Sequence, residues 1–421
     1  MTTYSIRTKD KSFCTSCLER LSAIRKGNGF EGTAMLFPML ISLAGTVVPR
    51  PSHLKVFQAA VEVCDLNTCD ADSFAAVLNS NPASNPQEQW IVDVLCSCAP
   101  TTPSFSISLV DSTLVLLNDA DLVQKHESAI SDYTSDWGAR LKLPRPCGWS
   151  VLQSVVSGSQ CLAALNDNSE SISAAVGILT WARHGRSTSM TFGSDPPLPS
   201  IQLDDFATCR PLGSSSCELS AADVLFFERT VQISALGWDN RDAAHELTPS
   251  HAKRIEDVCQ FLTDTSIDKR LRLAAQRAFA LYDEVRATRF RRKRLLHWWQ
   301  ILETVSACIS PSGDTSKVAA ICAAVIAPTA DFDVASRFLV EVARHRNDIV
   351  HRGIDTKIDA ASQIDESLQR FVSTMMHNFL VLGRKLGSIQ AFEEFVRHRA
   401  ASSHKRNSIR TALHFIENEL H

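Results

Sequence analysis

The sequence predicts a mainly helical protein, in which an N-terminal part of mixed α/β structure precedes a C-terminal all-α bundle. From about Ser220 onward, apolar residues recur at intervals of three and four, which is the period of a helix with one buried face. Few Gly or Pro lie inside these segments, so little interrupts them. Around Phe105, apolar and polar residues alternate instead, which indicates β-strands. A chain of 421 residues is long enough for two or three domains.

The first 215 residues divide into two regions. Residues 1–100 are predicted to be a helical N-terminal region, and its helices are Ser12–Arg25, Ser52–Cys64 and Glu88–Cys98. Residues 101–215 are predicted to form an α/β region. Its elements are a hairpin of Phe105–Leu109 and Thr113–Leu117, a helix over Ser171–Arg183 and a strand over Ser187–Phe192.

Residues 216–421 are predicted to form one helical domain. Asp333 stands before an apolar run, and Gly353 and Gly387 follow helix ends, which is typical of helix caps. The predicted helices are Ser250–Leu262, Ile267–Thr288, Phe290–Ile309, Asp314–Ile326, Asp333–His351, Ala360–Leu386, Ile389–His398 and Lys405–Glu419.

Composition indicates a folded protein rather than a disordered chain, since 44% of the residues are hydrophobic and 21% are charged. Because the net charge is −3, the molecule as a whole is not expected to attract nucleic acid electrostatically. The charge is uneven, however. Residues 1–215 hold 15 Lys and Arg against 20 Asp and Glu, whereas residues 216–421 hold 28 against 26. The second half is therefore compatible with a surface that faces phosphates.

The 13 Cys residues have no spacing typical of a disulfide framework. Several lie in apolar runs, where a reduced thiol behaves as a small hydrophobe. The pair Cys14 and Cys17 has the spacing of half a zinc site, but no second Cys-x-x-Cys exists, so plain thiols and no bound metal are favoured. The candidates for a second half are Cys64, Cys69, Cys96 and Cys98.

No segment predicts export or a membrane span. Residues 1–12 are polar, without the apolar core of a signal peptide. The apolar stretch from Thr33 to Val48 is interrupted by Pro38 and Gly45, and it falls short of the roughly 20 residues that cross a bilayer. We expect a reduced, cytoplasmic protein that does not associate with membranes.

The most informative segment runs from Arg344 through Arg346, Asn347 and Asp348 to His351. On a helix at about 100° per residue, Asn347 lies within about 40° of His351 and Arg344 within about 20°. Arg346 lies about 140° from His351, so only its long side chain or a distorted helix brings it to the same site. Either arginine fits the pattern.

These residue types suit metal-independent RNA cleavage. A histidine, whose pKa is near neutrality, manages the proton of the 2′-OH group. A guanidinium neutralises the charge that develops on the phosphate. An amide such as Asn347 orients the phosphate or the imidazole. Taken alone, however, an Arg and a His five residues apart are common on solvated helix faces.

The wider context resembles the HEPN domains, and in particular their Apea-like branch. Arg346, Asn347 and His351 match the Arg-x(4–6)-His motif of that family, including the polar residue after the arginine. Two upstream segments resemble family helices, the Ala-rich Arg272–Ala278 and the aromatic Leu296–Glu303. The resemblance covers roughly residues 220–386, which is under half of the chain.

The resemblance implies roles for individual residues. His351 would be the acid–base group, Arg346 the cation at the phosphate and Asn347 its polar partner. Arg344 competes for the cation role, whereas Asp348 and Glu303 would support the site. HEPN domains typically form dimers that bring two motifs together, so the resemblance implies a homodimer through the bundle and no cofactor.

A run of cations precedes Trp298 and Trp299. This run of cations is either a surface that binds RNA phosphates or a solvent-exposed junction between helices. Both tryptophans are expected in the core. The candidate RNA-binding residues are Arg289, Arg291, Arg292, Lys293 and Arg294.

Other motifs are rejected. The segment from His245 to His251 superficially suggests a zinc protease, but its spacing is wrong and Pro249 interrupts it. Residues 27–29, Gly-Asn-Gly, lack the lysine and the strand–loop–helix context of a phosphate-binding loop.

Together these observations predict an endoribonuclease that acts as a toxin or antiviral effector. Its N-terminal region would bind a trigger or an antitoxin. The alternative is a catalytically silent HEPN module that binds RNA or a nucleotide, or that scaffolds a partner complex. Intact Arg346, Asn347 and His351 favour the enzyme.

Overall fold

The structure is a computed structural model. It describes residues 11–26, 60, 64, 69–80, 89–134, 149–157, 161–184, 203–213, 219–226, 245–288, 291–311, 314–326, 332–352 and 358–400. Within these residues the protein is mainly helical with a small antiparallel sheet, which confirms the predicted mainly-α class.

Six strands form one antiparallel sheet in the order β3-β4-β5-β1-β6-β7. A separate two-stranded parallel pair joins β2 to β8. The strands are β1 (Gln89–Cys96), β2 (Cys98–Pro100), β3 (Ser104–Ser108), β4 (Thr113–Leu117), β5 (Ser150–Ser157), β6 (Leu203–Pro211), β7 (Val224–Phe226) and β8 (His245–Leu247).

Strand β1 corrects the predicted helix over Glu88–Cys98, and with it the prediction that residues 1–100 are helical throughout. β1 pairs with β5 on one side and with β6 on the other. Both of its faces are covered, so residues from Ile91 to Cys96 are buried without alternation. Apart from the buried Asp93, this stretch is apolar at every position and has no alternating period, which explains the wrong prediction.

Four helices accompany the sheet: α1 (Lys11–Lys26), α2 (Ala71–Ser80), α3 (Ala120–Thr134) and α4 (Cys161–His184). The predicted helix Ser12–Arg25 is confirmed by α1, and the predicted hairpin is confirmed by β3 and β4. The predicted helix Ser171–Arg183 forms only the second half of α4, which begins at Cys161. Most of the predicted helix Ser52–Cys64 and the whole predicted strand Ser187–Phe192 lie outside the described residues.

Seven helices follow, namely α5 (Pro249–Thr263), α6 (Lys269–Ala287), α7 (Arg291–Ile309), α8 (Thr315–Ile326), α9 (Phe332–Arg352), α10 (Ile358–Leu386) and α11 (Ile389–Ala400). Each agrees with a predicted helix to within two residues at either end, and the predicted helix Lys405–Glu419 lies outside the described residues. Strands β7 and β8 also fall within residues 216–421, so this region is not helical throughout.

The helix ends follow from local chemistry. Thr248 accepts a hydrogen bond from the backbone of His251 at the start of α5, where Pro249 occupies the first turn. The Asp268 side chain caps α6 by accepting from the Arg270 backbone. Gly387 follows α10 with φ +68°, a conformation that glycine adopts without strain.

Helix α4 joins the sheet to the helical bundle through one continuous core. On one side it packs on β5 and β6, and on the other it packs on α6. Gly177 lies so close to α6 that an added Cβ atom would stand 1.9 Å from the Phe279 carbonyl oxygen. Trp181 meets the ring of Phe279 edge-on and donates to the Ser373 carbonyl of α10.

Two further predictions bear on the chain as a whole. None of the helices in the described ranges combines the length and the hydropathy of a membrane span. Cys209 on β6 is disulfide-bonded, so the prediction of a wholly reduced chain is wrong at this residue.

Candidate active site

Helix α9 carries the Arg-Asn-His motif, and one of its sides faces solvent. Its opposite side is apolar, and Leu339, Val342 and Ala343 are buried against the rest of the bundle. Near its C-terminal end, Arg344 and His351 are exposed. The amphipathic pattern of this helix therefore fixes which motif residues reach solvent.

Arg346 lies between its neighbour Asn347 and a carboxylate from another helix. Its Nη1 donates to Asn347 Oδ1 over 3.1 Å, and its Nη2 lies 3.6 Å from Glu303 Oε1 on α7. The side chains of Arg346 and Glu303 are 26% and 39% exposed. The structure thus groups three of the predicted site residues, and it leaves the guanidinium partly open to solvent.

The carboxylate of Glu303 is itself held from the core side. Trp299, one turn earlier on α7, donates its indole Nε1–H to Glu303 Oε1 over 2.7 Å. Trp298 and Trp299 are each 1% exposed, which confirms that both belong to the core. Because the indole ring is fixed by packing, the Glu303 oxygen that faces Arg346 has a defined position.

Arg344 makes a different contact. Its Nη1 lies 2.7 Å from Glu341 Oε1, one turn earlier on the same helix, and both side chains are more than half exposed. Among the described residues, no hydrogen bond or ion pair joins His351 to Arg344, Arg346 or Asn347. The site therefore has two parts, a cation cluster at Arg346 and an exposed imidazole at the end of α9.

The predicted RNA-binding cations at the start of α7 differ in their exposure to solvent. Arg292 and Lys293 are exposed. Arg294 turns inward instead, and its Nη2 lies 2.5 Å from Asp365 Oδ2 on α10. Arg289 lies outside the described residues, and for Arg291 the structure describes only its place at the start of the helix.

Asp365 is a connecting residue that the sequence did not indicate. It accepts from Arg294 through one oxygen and from the buried Trp298 Nε1 through the other, over 3.1 Å. It thereby ties α7 to α10 just below the exposed cations. No motif pointed to this aspartate, since its partners are about 70 residues away in the chain.

The His245–His251 segment is explained by local structure. His251 lies in the first turn of α5, where its Nδ1 accepts from the Thr248 backbone. Burial, with help from the charges of Arg254 and Arg183, lowers the pKa of His251. This histidine is a capping residue.

The fold and the site define a mainly helical protein with an antiparallel sheet, whose site combines an arginine, an amide and a carboxylate from two packed helices with an exposed histidine. Comparisons of the chain with family models, with curated proteins and with solved structures gave no match.

Proposed function

We propose that the C-terminal bundle is a HEPN-type endoribonuclease that cleaves RNA by attack of the 2′-OH group. The observation that carries this proposal is the arrangement on α9. Arg346 is oriented by Asn347 and by Glu303 of α7, and the same helix presents an exposed imidazole at His351. An oriented guanidinium and a solvent-accessible histidine are the two kinds of group that this reaction needs, and one helix carries both.

Each group has a part in the reaction. His351 takes the proton of the 2′-OH, and the 2′-oxygen attacks the adjacent phosphorus. The bond from phosphorus to the 5′-oxygen breaks, and the leaving oxygen gains a proton. Arg346 stabilises the charge on the phosphate oxygens during this step. The products are a 2′,3′-cyclic phosphate and a 5′-hydroxyl.

The proton removed on one side of the phosphate must be replaced on the other side, and one helix can hardly reach both. A homodimer in which two copies of α9 meet around a two-fold axis supplies both groups. Arg292 and Lys293 are placed to contact the phosphates of the RNA strand. In a cell this activity would make the protein a toxin or an antiviral effector, with its N-terminal region binding a trigger or an antitoxin.

A catalytically silent module that binds RNA or a nucleotide is the second candidate, and one observation favours it. Arg346 is already engaged by Glu303, and the described contacts do not join it to His351. In such a module the arginine would hold two helices together, and any bound phosphate would not be cut.

The two functions are separated by incubating the purified protein with a 5′-labelled single-stranded RNA in buffer without Mg²⁺ and with excess EDTA. The enzyme gives fragments ending in 2′,3′-cyclic phosphate, and the His351→Ala variant gives at least about 100-fold less product. Binding without cleavage, in wild type and variant alike, identifies the silent module. A melting curve in the same buffer shows whether EDTA affects the fold rather than the chemistry.

A further inference from the structure

Helix α3 packs on the sheet through a core of its own. Its buried residues Leu122, Ala129 and Ile130 pack with side chains from one face of the sheet, in a cluster separate from the main core. The other buried members of this cluster are Leu95, Trp149, Val151, Phe206 and Val224. Helix α3 also packs on the short 3₁₀ helix Ala221–Asp223 that precedes β7. The main core instead joins the other face of the sheet to α4 and to the helical bundle.

Polar side chains are buried between α3 and the sheet. His126 of α3 is 1% exposed, and its Nδ1 shares a hydrogen bond of 2.8 Å with the hydroxyl of Thr208 on β6. His126 Nε2 lies 3.5 Å from Asp93 Oδ2 on β1, and Nη2 of Arg210 on β6 lies at the same distance from that oxygen. Asp93 also accepts a hydrogen bond of 2.8 Å from Gln153 on β5. We call Asp93, His126, Thr208 and Arg210 the polar cluster.

Strand register and helix period explain why these groups meet. Asp93 of β1 is opposite Gln153 of β5 on one side and Thr208 of β6 on the other, so the three side chains share a face. Leu122 and Ala129 lie one turn before and one turn after His126, so the imidazole is on the buried side of α3. The docking of α3 therefore places a histidine directly over the polar row of the sheet.

This contact is specific in position but weak in energy. His126 Nε2 is buried and makes no hydrogen bond to the described residues. Burying a polar nitrogen without a hydrogen bond is unfavourable, and Asp93 and Arg210 have lost most of their hydration. All of these groups regain water when α3 moves away, which an entirely apolar contact would not do. Separating α3 from the sheet therefore costs less free energy than separating α4.

We propose that α3 is a cover that separates from the sheet as one unit while the main core stays folded. In the open state, Asp93, Thr208 and Arg210 face solvent on the sheet, and His126 faces solvent on the helix. A molecule that binds the uncovered face shifts the population toward this state. Helix α4 packs on the opposite face of the same sheet, so its contact with the bundle is preserved during opening.

The test compares thiol labelling on the two faces of the sheet in the full-length protein. Ala129→Cys places a thiol under α3, at a position that is 2% exposed, whereas the native Cys96 is a buried thiol of β1 in the main core. Each thiol reacts with iodoacetamide only when the structure around it opens. We expect the introduced thiol to be labelled at least about tenfold faster than Cys96, measured by peptide mass spectrometry.

A second substitution tests the polar cluster itself. His126→Ala leaves Thr208 buried without this partner, so it should raise the labelling rate of the introduced thiol several-fold and leave that of Cys96 unchanged. The matched control is Asn168→Ala on α4, which removes a buried hydrogen bond of 2.9 Å to Ser154 on the other face of the sheet. It should raise the labelling rate of Cys96 and leave that of the introduced thiol nearly unchanged.

Equal labelling rates for the two thiols would overturn the proposal, as would an equal increase for both in the His126 variant. Either result means that α3 leaves the sheet only when the whole chain unfolds.

Hydrogen–deuterium exchange of the wild-type protein covers the case in which Ala129→Cys fails to fold. Peptides from α3 should exchange at least about tenfold faster than peptides from α4. Urea below the unfolding transition should accelerate α3 less steeply than α4, because the smaller opening exposes less surface. Equal rates and equal urea slopes would again contradict a separate opening of α3. Neither measurement involves RNA, so the outcome is independent of the proposed ribonuclease.

Discussion

At the scale of single residues, the structure distinguishes the two arginines that the sequence left as alternatives. Both lie on α9 and both fit the spacing to His351. Arg344 forms an exposed pair with Glu341, a contact that solvent and salt weaken. Arg346 is held between Asn347 and Glu303. A cation that stabilises a transition state works best when it is already oriented, so Arg346 is the stronger candidate.

We therefore expect Arg346→Ala to lower RNA cleavage at least about 100-fold, which is the usual effect of removing one oriented donor from a developing anion. Arg344→Ala should leave both cleavage and Tm close to wild type. Single-turnover cleavage of the same labelled RNA measures both variants. The reverse ranking would assign the catalytic cation to Arg344.

Glu303 combines two roles that substitutions can separate. Its Oε1 atom accepts from the buried indole of Trp299 and faces Arg346. Glu303→Ala leaves the indole N–H without its acceptor, so we expect a loss of about 1–3 kcal/mol in the free energy of unfolding. Glu303→Gln retains an amide oxygen for the indole and should lose much less.

Urea unfolding of both variants provides the measurement. If Ala and Gln are equally stable, Trp299 does not depend on this acceptor. The Gln variant also removes the charge that faces Arg346. A change in its cleavage rate at unchanged stability would therefore report the positioning of the arginine alone.

At the scale of elements, the cations at the start of α7 differ in environment: two are exposed to solvent, and one forms an ion pair with another helix. Arg292 and Lys293 are exposed, whereas Arg294 is tied to Asp365 beside the buried Trp298. Phosphate contacts release counterions, so each contact that is lost flattens the dependence of binding on salt.

Replacing Arg292 and Lys293 by Ala should weaken binding of single-stranded RNA and reduce the slope of log K against log salt by up to about 0.7 per lost contact. Arg294→Ala should instead lower Tm and leave the slope unchanged. Fluorescence anisotropy titrations at several salt concentrations measure the slopes. Equal slopes for wild type and the double variant would place RNA elsewhere on the bundle.

Some elements of this protein can be predicted from the sequence, and others cannot. Helices α5 to α11 were predicted closely, because each has a one-sided apolar pattern, and Asp268 and Gly387 mark two of their ends. β1 was mistaken for a helix, because a strand buried on both faces lacks alternation. Spacing found the motif on α9, but the choice between its arginines depends on Glu303, which only tertiary folding brings near Arg346.

At the scale of the whole molecule, the proposed reaction depends on a second copy of the chain. Each chain offers one His351, and the proton transfers occur on opposite sides of the phosphate. Val334 and Val350, near the two ends of α9, are 68% and 48% exposed. Apolar residues at both ends of the motif helix are compatible with an isologous contact.

We expect activity to fall roughly as the square of the wild-type fraction when wild-type and His351→Ala chains are unfolded together and refolded as mixtures. Heterodimers then carry one intact motif and are inactive. A linear decline would mean that each chain cleaves RNA alone. Sedimentation of the same mixtures verifies that the variant still pairs.

The contact at Gly177 has a consequence for how any signal could pass through this protein. There the backbone of α4 presses against the backbone of α6, with no side chain between them to change rotamer or absorb a shift. Helix α6 in turn packs directly on α7, which carries Glu303 opposite Arg346. We therefore expect a displacement of the sheet to be passed through α4 and α6 to α7, with little of it absorbed at Gly177.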